Sequence, residues 1–594
     1  MVQYVLLIAI ALTAQAVLAL TKLARNISKA RATGLPYTIS PIHELEGWAY
    51  LTDPLLRWWC RNHLLKKGQG WPRWARFMVK DWHYEDKGRA HAEFGEVFLV
   101  VSPGGLVCYV GNAKTAMNVV SRRKAFVKPP EKMKMLEPFG PNVVSTDGDL
   151  WRFHLRITLP PFGEAVQQLV WEETERQTGM MAASWAKSSG AGSLKHNIYT
   201  LTVNTMSLAG FGRQADWVED SKAVPQGHSL SLVAAIFGVV MHLPHILLMP
   251  KWLLRNSPWK IAHTAYVEFE QYMNELLAEA KAGLQRGVKT ESGAARENLL
   301  TAVLRSSEEG AKQAVAGPGG RTSLTDEEIK GNVFIFLLAG YDTTANTILF
   351  CCIMLALYSD VQDQIIEEAD RIRKEAREAG REELSYTEDL PKFRYLIAFM
   401  YEVMRVFPIV IPIGRTTVEP QDLLVHDSIT GTTRNVALPA NTGVIVNNTA
   451  IHYSEKNWPS PHIFEPRRWL VNEPNTFDPS QPVSAAQETE IKAGTASIPG
   501  HIKGTFMTFN EGPRACLGRH FARVEFVAFF ARLLRDHRLR LDDGVSAAEV
   551  ERTMRLVSGG SPVTLIPPED VPVCLVPRGN DMMRVIREEW VVDG

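Results

Sequence analysis

The 594-residue sequence predicts a mostly α-helical protein with a β-hairpin early in its globular part and a transmembrane helix in front of it. Three observations carry this. Tyr4 to Leu20, "YVLLIAIALTAQAVLAL", contains no charge, and with Met1 to Gln3 it spans about 30 Å as a helix, enough to cross a bilayer. Helical periodicity dominates from Trp151 to Phe407. Short β-branched runs, "EVFLVVS" and "LVCYVG" between Glu96 and Gly111, read as two paired strands.

In chain order, the apolar run comes first. Lys22, Arg25, Lys29 and Arg31 follow it, with no acidic residue before Glu44. A cleaved signal peptide carries its positive charge in front of the apolar run. Charge behind it marks an anchor over residues 1–21 and leaves the rest of the chain in the cytosol. Residues 22–45 then read as a basic, proline-containing linker, with "GLPYTISP" at 34–41 as the turn that releases the chain. Residues 46–594 form the globular part. Loops are expected at 189–193, 314–323 and 472–500, the last long enough to be a surface insertion. Ser229 to Pro250 is uncharged but interrupted by Pro244, His242 and His245, which predicts a pair of short helices, buried or dipping into a membrane surface.

Composition narrows the class. Apolar residues make up 45% and charged residues 22%, as in ordinary globular proteins. Lys plus Arg (65) equals Asp plus Glu (65), so no bulk field attracts nucleic acid. Six cysteines (60, 108, 351, 352, 516 and 574) are too scattered for a disulfide framework and fit a reducing compartment.

Three stretches carry chemistry. "FNEGPRACLGR", 509–519, holds Cys516 between glycines with Arg514 two residues before it. A zinc site would show a second ligand at short spacing. A nucleophile would need a base, and His520 is near only in sequence. A thiolate ligand to haem iron is the third candidate. From Thr325 runs an apolar helix with a capping box, Thr325 with Glu328, and Asp326 and Glu327 at its positive end. Ala339, Gly340, Asp342, Thr343 and Thr344 interrupt its middle, where a glycine and a carboxylate are both costly, and suggest a local opening for a small ligand and a proton path. "YLIAFMYEVMRVFP", 395–408, places Glu402 and Arg405 on one face at i, i+3, in apolar surroundings that call for a third partner, which Arg468 in "FEPRRWL" could supply.

Together these stretches resemble a cytochrome P450 of the membrane-anchored, fungal type, across nearly everything after the anchor. Phe509, Gly512, Arg514, Cys516 and Gly518 match the haem-binding loop; Ala339, Gly340, Asp342, Thr343 and Thr344 match the oxygen-binding groove. Glu402 and Arg405 match the Glu-x-x-Arg pair, and Pro466 with Arg468 resembles the Pro-x-Arg stretch that completes its triad. The resemblance implies the family's mostly helical triangular fold with a small β-rich lobe. It makes residues 46–594 a haem-thiolate monooxygenase domain with haem b as cofactor and Cys516 as its axial thiolate, a ligand that favours O–O cleavage. Gly512 and Gly518 would let backbone amides approach the sulfur. Arg514 and Arg415 would hold the haem propionates. "GDLWRFHLR", 148–156, resembles the helix whose tryptophan, with a basic residue four positions on, completes that grip. Trp151 is present, but position 155 is leucine, leaving His154 or Arg156 only by a shifted register.

Further implications are functional. One oxygen atom of O2 enters a lipophilic small molecule, terpenoid, sterol-like or aromatic, in secondary metabolism or xenobiotic oxidation. Electrons come from NADPH through a separate NADPH-cytochrome reductase, at the endoplasmic reticulum membrane, with a single pass and a cytosolic catalytic domain. Thr343 and Asp342 would manage protons, and Phe126, Met133, Met135 and Phe139, with the 229–250 segment, would contact substrate. Two alternatives stand beside this: a haem-thiolate isomerase or dehydratase working without a reductase, and a non-catalytic membrane haem protein. The intact Asp342–Thr343 pair speaks against both.

Overall fold

In the computed structural model the first helix, α1 (Val2–Thr33), runs without a break past the end of the expected anchor. Described are residues 2–64, 71–187, 194–217, 224–286, 298–312, 320–471, 475–481, 484, 488–489, 501–555, 564–568 and 571–578. The loop expected at 189–193, and most of those expected at 314–323 and 472–500, lie outside these residues.

The first half of the expected linker is therefore helical. Residues 22–33 contain neither glycine nor proline, so nothing stops the helix before Gly34, which takes φ +70°. This end also has something to pack on: Ala30 is fully buried, and Asn26 Nδ2 donates to the Ser102 carbonyl at 2.9 Å. The other end exposes its apolar side chains, among them Leu6, Leu12 and Leu20.

The sheet lies beneath the end of α1. Strands β1 (Tyr37–Ile39), β2 (Val97–Ser102), β3 (Gly105–Val110), β4 (Pro412–Thr416) and β7 (Gly443–Asn447) form one five-stranded sheet in the order β1-β2-β3-β7-β4. The β2–β3 pair is the expected hairpin, in register from Val97 opposite Val110 to Ser102 opposite Gly105. Both strands are buried on both faces, one under α1 and α3 (Ala113–Ser121), the other under Phe77 and Trp82. That is why the sequence here is a continuous β-branched run rather than an alternating one. Strand β4 pairs antiparallel with β7 and carries Arg415. Two further antiparallel pairs, β5 (Gln421–His426) with β6 (Thr433–Leu438) and β8 (His537–Leu541) with β9 (Val573–Pro577), stand apart from this sheet.

Helices make up the rest: α2 (Gly47–His63), α4 (Gly148–Thr158), α5 (Glu164–Lys187), α6 (Leu194–Phe211), α7 (Leu232–Met241), α8 (Leu243–Leu248), α9 (Lys260–Arg286), α10 (Leu299–Lys312), α11 (Asp326–Leu357), α12 (Ser359–Glu378), α13 (Arg394–Val406) and α14 (Arg519–Asp536). Helix α11 is apolar on all sides and passes through the centre, against α6, α10, α13 and α14. It is long and apolar enough to cross a membrane, yet it is buried within the protein along most of its length. Its start has the expected reciprocal cap: Thr325 Oγ1 accepts from the Glu328 amide at 3.2 Å, and Glu328 Oε2 accepts from the Thr325 amide at 2.9 Å. The 229–250 segment forms the expected pair of short helices, α7 and α8, which turn at His242 and pack on α9.

Candidate functional site

Cys516 sits in a tight loop ahead of α14. The loop closes because the Cys516 amide donates to the Phe509 carbonyl at 2.8 Å and Asn510 Nδ2 donates to the Arg514 carbonyl at 3.0 Å. Gly518 occupies the N-cap position of α14, so the sulfur lies near a helix N-terminus, whose partial positive charge favours a thiolate. A Cβ at Gly518 would come 4.0 Å from Sγ. Burial pushes the Cys516 thiol up, while the Gly518 N–H and the Arg519 charge pull it down. Cys516 is exposed and lines a cavity of about 500 Å³. Phe509 also lines this cavity, its ring 5.5 Å from the Arg519 guanidinium carbon.

One expectation at this loop needs correcting. Gly512 is not on the cavity wall: it takes φ +72°, and a Cβ there would stand 3.2 Å from the Val120 carbonyl, so the turn and the end of α3 require it rather than the sulfur. His520 is no base for Cys516, because its Nε2 is 2.9 Å from the Tyr386 hydroxyl. Among the described residues no cluster of three His, Cys, Asp or Glu side chains could hold a metal ion.

Ala339, Gly340, Asp342, Thr343 and Thr344 of α11 line the same cavity. The helix shows no opening here; it is regular throughout, and Thr343 Oγ1 donates to the Ala339 carbonyl at 2.7 Å. Gly340 has a packing reason as well, since a Cβ would meet Met206 Sδ of α6 at 2.9 Å. The Asp342 carboxylate is buried in a polar network. Its Oδ2 accepts from Thr564 Oγ1 at 2.6 Å and its Oδ1 from Asn346 Nδ2 at 3.3 Å, while Asn346 Oδ1 accepts from the Tyr199 hydroxyl at 2.9 Å. Thr564 reaches the cavity from the far end of the chain, and sequence reasoning gave no sign of it.

A group of cations stands at one edge. Arg514 lies over the Trp151 ring, 4.1 Å from its centre, and Arg123 lies 4.7 Å from that ring's centre. Arg514 Nη2 donates to Asp147 Oδ1 at 2.7 Å. Arg415 donates Nη1 to the Gly414 carbonyl at 2.8 Å, but its buried Nη2 has no partner. Burial and the neighbouring Arg514 lower its pKa to about 10. Lys128, which sequence reasoning missed, joins them on the wall: Nζ donates to the Val144 carbonyl at 2.8 Å, and burial with Arg514 and Arg415 brings its pKa down to about 7. Buried cations that depress one another, one with a guanidinium nitrogen left over, fit an anionic ligand. The two haem propionates answer that description.

The missing basic residue is not replaced from within α4. Leu155 lines the cavity. His154 turns away from it, accepting at Nδ1 from Asn332 Nδ2 at 2.9 Å, with Nε2 3.4 Å from Glu328 Oε1. Arg156 lies over Phe153 instead.

Behind the cysteine loop the expected triad is assembled and fully buried. Glu402 Oε1 accepts from Arg405 Nη2 (2.7 Å), Arg468 Nε (3.1 Å) and the Glu465 amide (3.0 Å); Oε2 accepts from Arg405 Nε (2.8 Å) and Trp469 Nε1 (3.0 Å). Despite burial, the two guanidinium charges hold Glu402 down to about 2. His452 transmits this order to the loop: its Nε2 accepts from the Met507 amide at 3.2 Å and its Nδ1 faces the Arg405 carbonyl at 3.1 Å. Burial and Arg405 lower the imidazole to about 3, so it is neutral and donates through Nδ1.

Of the four expected substrate contacts only Met133 is on the wall. Phe126 belongs to the core around the sheet, Met135 points to solvent, and Phe139 sits behind the wall between Tyr266, Phe269 and Phe334. The 229–250 segment contributes Val240 and Leu243, and Phe162, Leu299 and Phe336 complete much of the apolar lining.

The comparisons agree with this arrangement. A family model described as Cytochrome P450 matches residues 78–566. A cytochrome P450 monooxygenase of Penicillium rubens, prx9, is 39% identical over 565 residues, which cover 94% of this chain and 95% of its own. Another, ORF6 of Penicillium roqueforti, is 39% identical over 568 residues with the same coverage. Among solved structures, retinoic acid-bound cyanobacterial CYP120A1 shares the fold with a TM-score of 0.58 at 18% identity, over 83% of this chain and 94% of that one. The chain thus belongs to the cytochrome P450 family: it is a monooxygenase, whose family cofactor is haem iron with a cysteine thiolate ligand.

Proposed function

We propose that this enzyme inserts one oxygen atom from O2 into a lipophilic small molecule, terpenoid, sterol-like or aromatic, with electrons drawn from NADPH through a separate reductase. The observation that carries this is a cavity whose wall is mainly aliphatic and aromatic, with Cys516 and the Asp342–Thr343 pair both opening into it. Haem iron with a thiolate ligand supplies the oxygen activation. The chain's own residues do the rest. Cys516 Sγ holds the iron, with the Gly518 amide and the start of α14 keeping negative charge on sulfur. Arg514, Arg415 and Lys128 pair with the propionates, and Trp151 packs beneath Arg514. Phe336, Leu299, Met133 and Leu243 exclude water and hold an apolar substrate. Thr343 Oγ1 can swing from the Ala339 carbonyl to present its proton to the cavity, and Asp342 resupplies it.

The membrane belongs to the same reading. The apolar start of α1, followed by four basic residues, acts as a single-pass anchor in the endoplasmic reticulum with the catalytic domain in the cytosol. Met241, Trp252 and Trp259, exposed around α7 and α8, suit a second contact with the bilayer surface.

Thr343→Ala tests the chemistry. The variant should keep haem and fold, since losing one hydroxyl costs about 1 kcal/mol. NADPH consumption should continue while product falls about 10²-fold or more and hydrogen peroxide rises. Unchanged coupling would remove Thr343 from the proton path; loss of haem would make it a packing residue.

A further inference from the structure

The Asp342 carboxylate is held by a residue from the far end of the chain. Thr564, 222 residues on, donates Oγ1 to Asp342 Oδ2 at 2.6 Å. Asn346, one turn along α11, donates Nδ2 to Asp342 Oδ1 at 3.3 Å and to Thr564 Oγ1 at 3.1 Å. The three side chains close a ring with one direction of donation. An ionised carboxylate only accepts, so the Thr564 proton goes to Asp342 and a Thr564 lone pair takes the Asn346 N–H. Tyr199 of α6 fixes that direction: its hydroxyl donates to Asn346 Oδ1 at 2.9 Å, which turns the amide nitrogen toward the carboxylate. The Tyr199 ring in turn stands edge-on to Tyr341, with 5.3 Å between centres. Thr564 is tied from its own side, because the Leu565 amide donates to the Ile409 carbonyl at 2.8 Å. Asn346 and Thr564 are both buried, at 0% and 2% exposure.

We propose that Thr564 is a positioning residue for the oxygen chemistry: with Asn346 and Tyr199 it holds the Asp342 carboxylate in one orientation at the cavity, ready to take up protons and pass them on. Thr343 cannot do this itself, since neighbouring residues on a helix do not face each other. A buried carboxylate without donors is driven to its neutral form, which has no capacity left to take up a proton. Donors that converge on it keep it charged, and their effect falls steeply with distance and angle, so the placement of Thr564 matters. A hydroxyl is the group the position calls for. It accepts from Asn346 and donates to Asp342 at once, whereas valine, of nearly the same shape, does neither. Thr564 and Ile409 also line the cavity, so this hold on Asp342 is built into the wall that encloses the substrate. The inference rests on the proton role proposed above for Asp342, and names the residues that prepare it.

The test uses the full-length haem-loaded protein, reconstituted with an NADPH-cytochrome reductase, as Thr564→Val, Thr564→Ser, Tyr199→Phe and Asp342→Asn. Haem content and the carbon monoxide band check that each variant is folded. Two quantities are read. The first needs no turnover: the pH midpoint of the protonated-carboxyl infrared band that Asp342→Asn removes. The second is the share of consumed O2 that leaves as hydrogen peroxide rather than water, without added substrate. Thr564→Val should raise the midpoint by about one pH unit, because it deletes a bond to the charged form, and raise the peroxide share about threefold or more. Thr564→Ser keeps the hydroxyl and should restore both. Tyr199→Phe should move both the same way by less, and it decides the matter if Thr564→Val loses haem: no change then overturns the inference. Native values in Thr564→Val overturn it as well. So does a Thr564→Ser that behaves like Thr564→Val, since the side chain would then serve packing alone. An unchanged peroxide share in Asp342→Asn overturns the proton role of Asp342 itself, and the inference with it.

Discussion

Replacing Glu402 with glutamine removes one charge from the most densely bonded carboxylate near the cysteine loop. Five donors converge on it, and two of its partners are fully buried guanidinium groups. Breaking a buried pair by neutralising one member costs about 3–5 kcal/mol, because the other charge stays buried. The pKa gives a second route to the magnitude. Held from 4.5 down to about 2, the carboxyl stabilises the fold by about 3 kcal/mol at neutral pH. With an unfolding entropy of about 2.1 cal/mol/K per residue, a domain of about 500 residues loses about 1 °C in Tm per kcal/mol. Glu402→Gln should therefore lower the Tm by about 3–5 °C at pH 7, followed by differential scanning calorimetry together with haem content. The sign with pH is specific. A folded pKa below the unfolded one gives stability that is present above about pH 4.5 and is lost as pH falls toward 2, so the wild-type curve should drop in that window more steeply than the variant's. A variant within 1 °C of wild type, with a parallel acid limb, would refute a Glu402 that carries charge between two arginines.

Three further outcomes are expected. Lys128→Met should stabilise the haem-free protein near and below pH 7, since the folded pKa, lowered from 10.5 to about 7 by burial and two arginines, makes stability fall as pH drops through that window. In the loaded enzyme the same change should speed haem loss to a scavenger; unchanged haem retention would take Lys128 out of the propionate grip. Removing residues 2–21 should move the protein from the microsomal pellet to the soluble fraction. Removing 1–33 should instead destabilise it, because Asn26 and Ala30 pack on the sheet; equal stability of the two truncations would contradict that packing.

What the sequence revealed follows from the range of each interaction. The cap at Thr325, the Glu402–Arg405 pair and the cysteine loop are spelled out within a few residues, and their spacing alone places them. Arg468 came from a short motif 66 residues from Glu402, but Trp469 beside it did not, because a tryptophan in an apolar stretch gives no sign that its N–H will serve a carboxylate. Lys128 and Thr564 are brought to the cavity by tertiary structure, 128 through a loop before α4 and 564 from beyond α14, and only a lone lysine between Val127 and two prolines hinted at the first. Apolar loop residues are the least legible of all. Met133 and Phe139 look alike in sequence, yet one faces the cavity and the other fills an aromatic cluster behind it. The regular course of α11 through Thr343 was hidden for another reason: a threonine hydroxyl that bonds its own helix reads the same as one that opens it.

The central claim is that the Cys516 thiolate holds the haem iron in this cavity. The direct measurement is the absorption spectrum of the reduced protein under carbon monoxide, for wild type and Cys516→Ser at equal haem content. The account predicts a strongly red-shifted thiolate band in the wild type and its complete loss in the variant, since serine stays a neutral hydroxyl where cysteine gives up its proton. A normal red-shifted band in Cys516→Ser would contradict it.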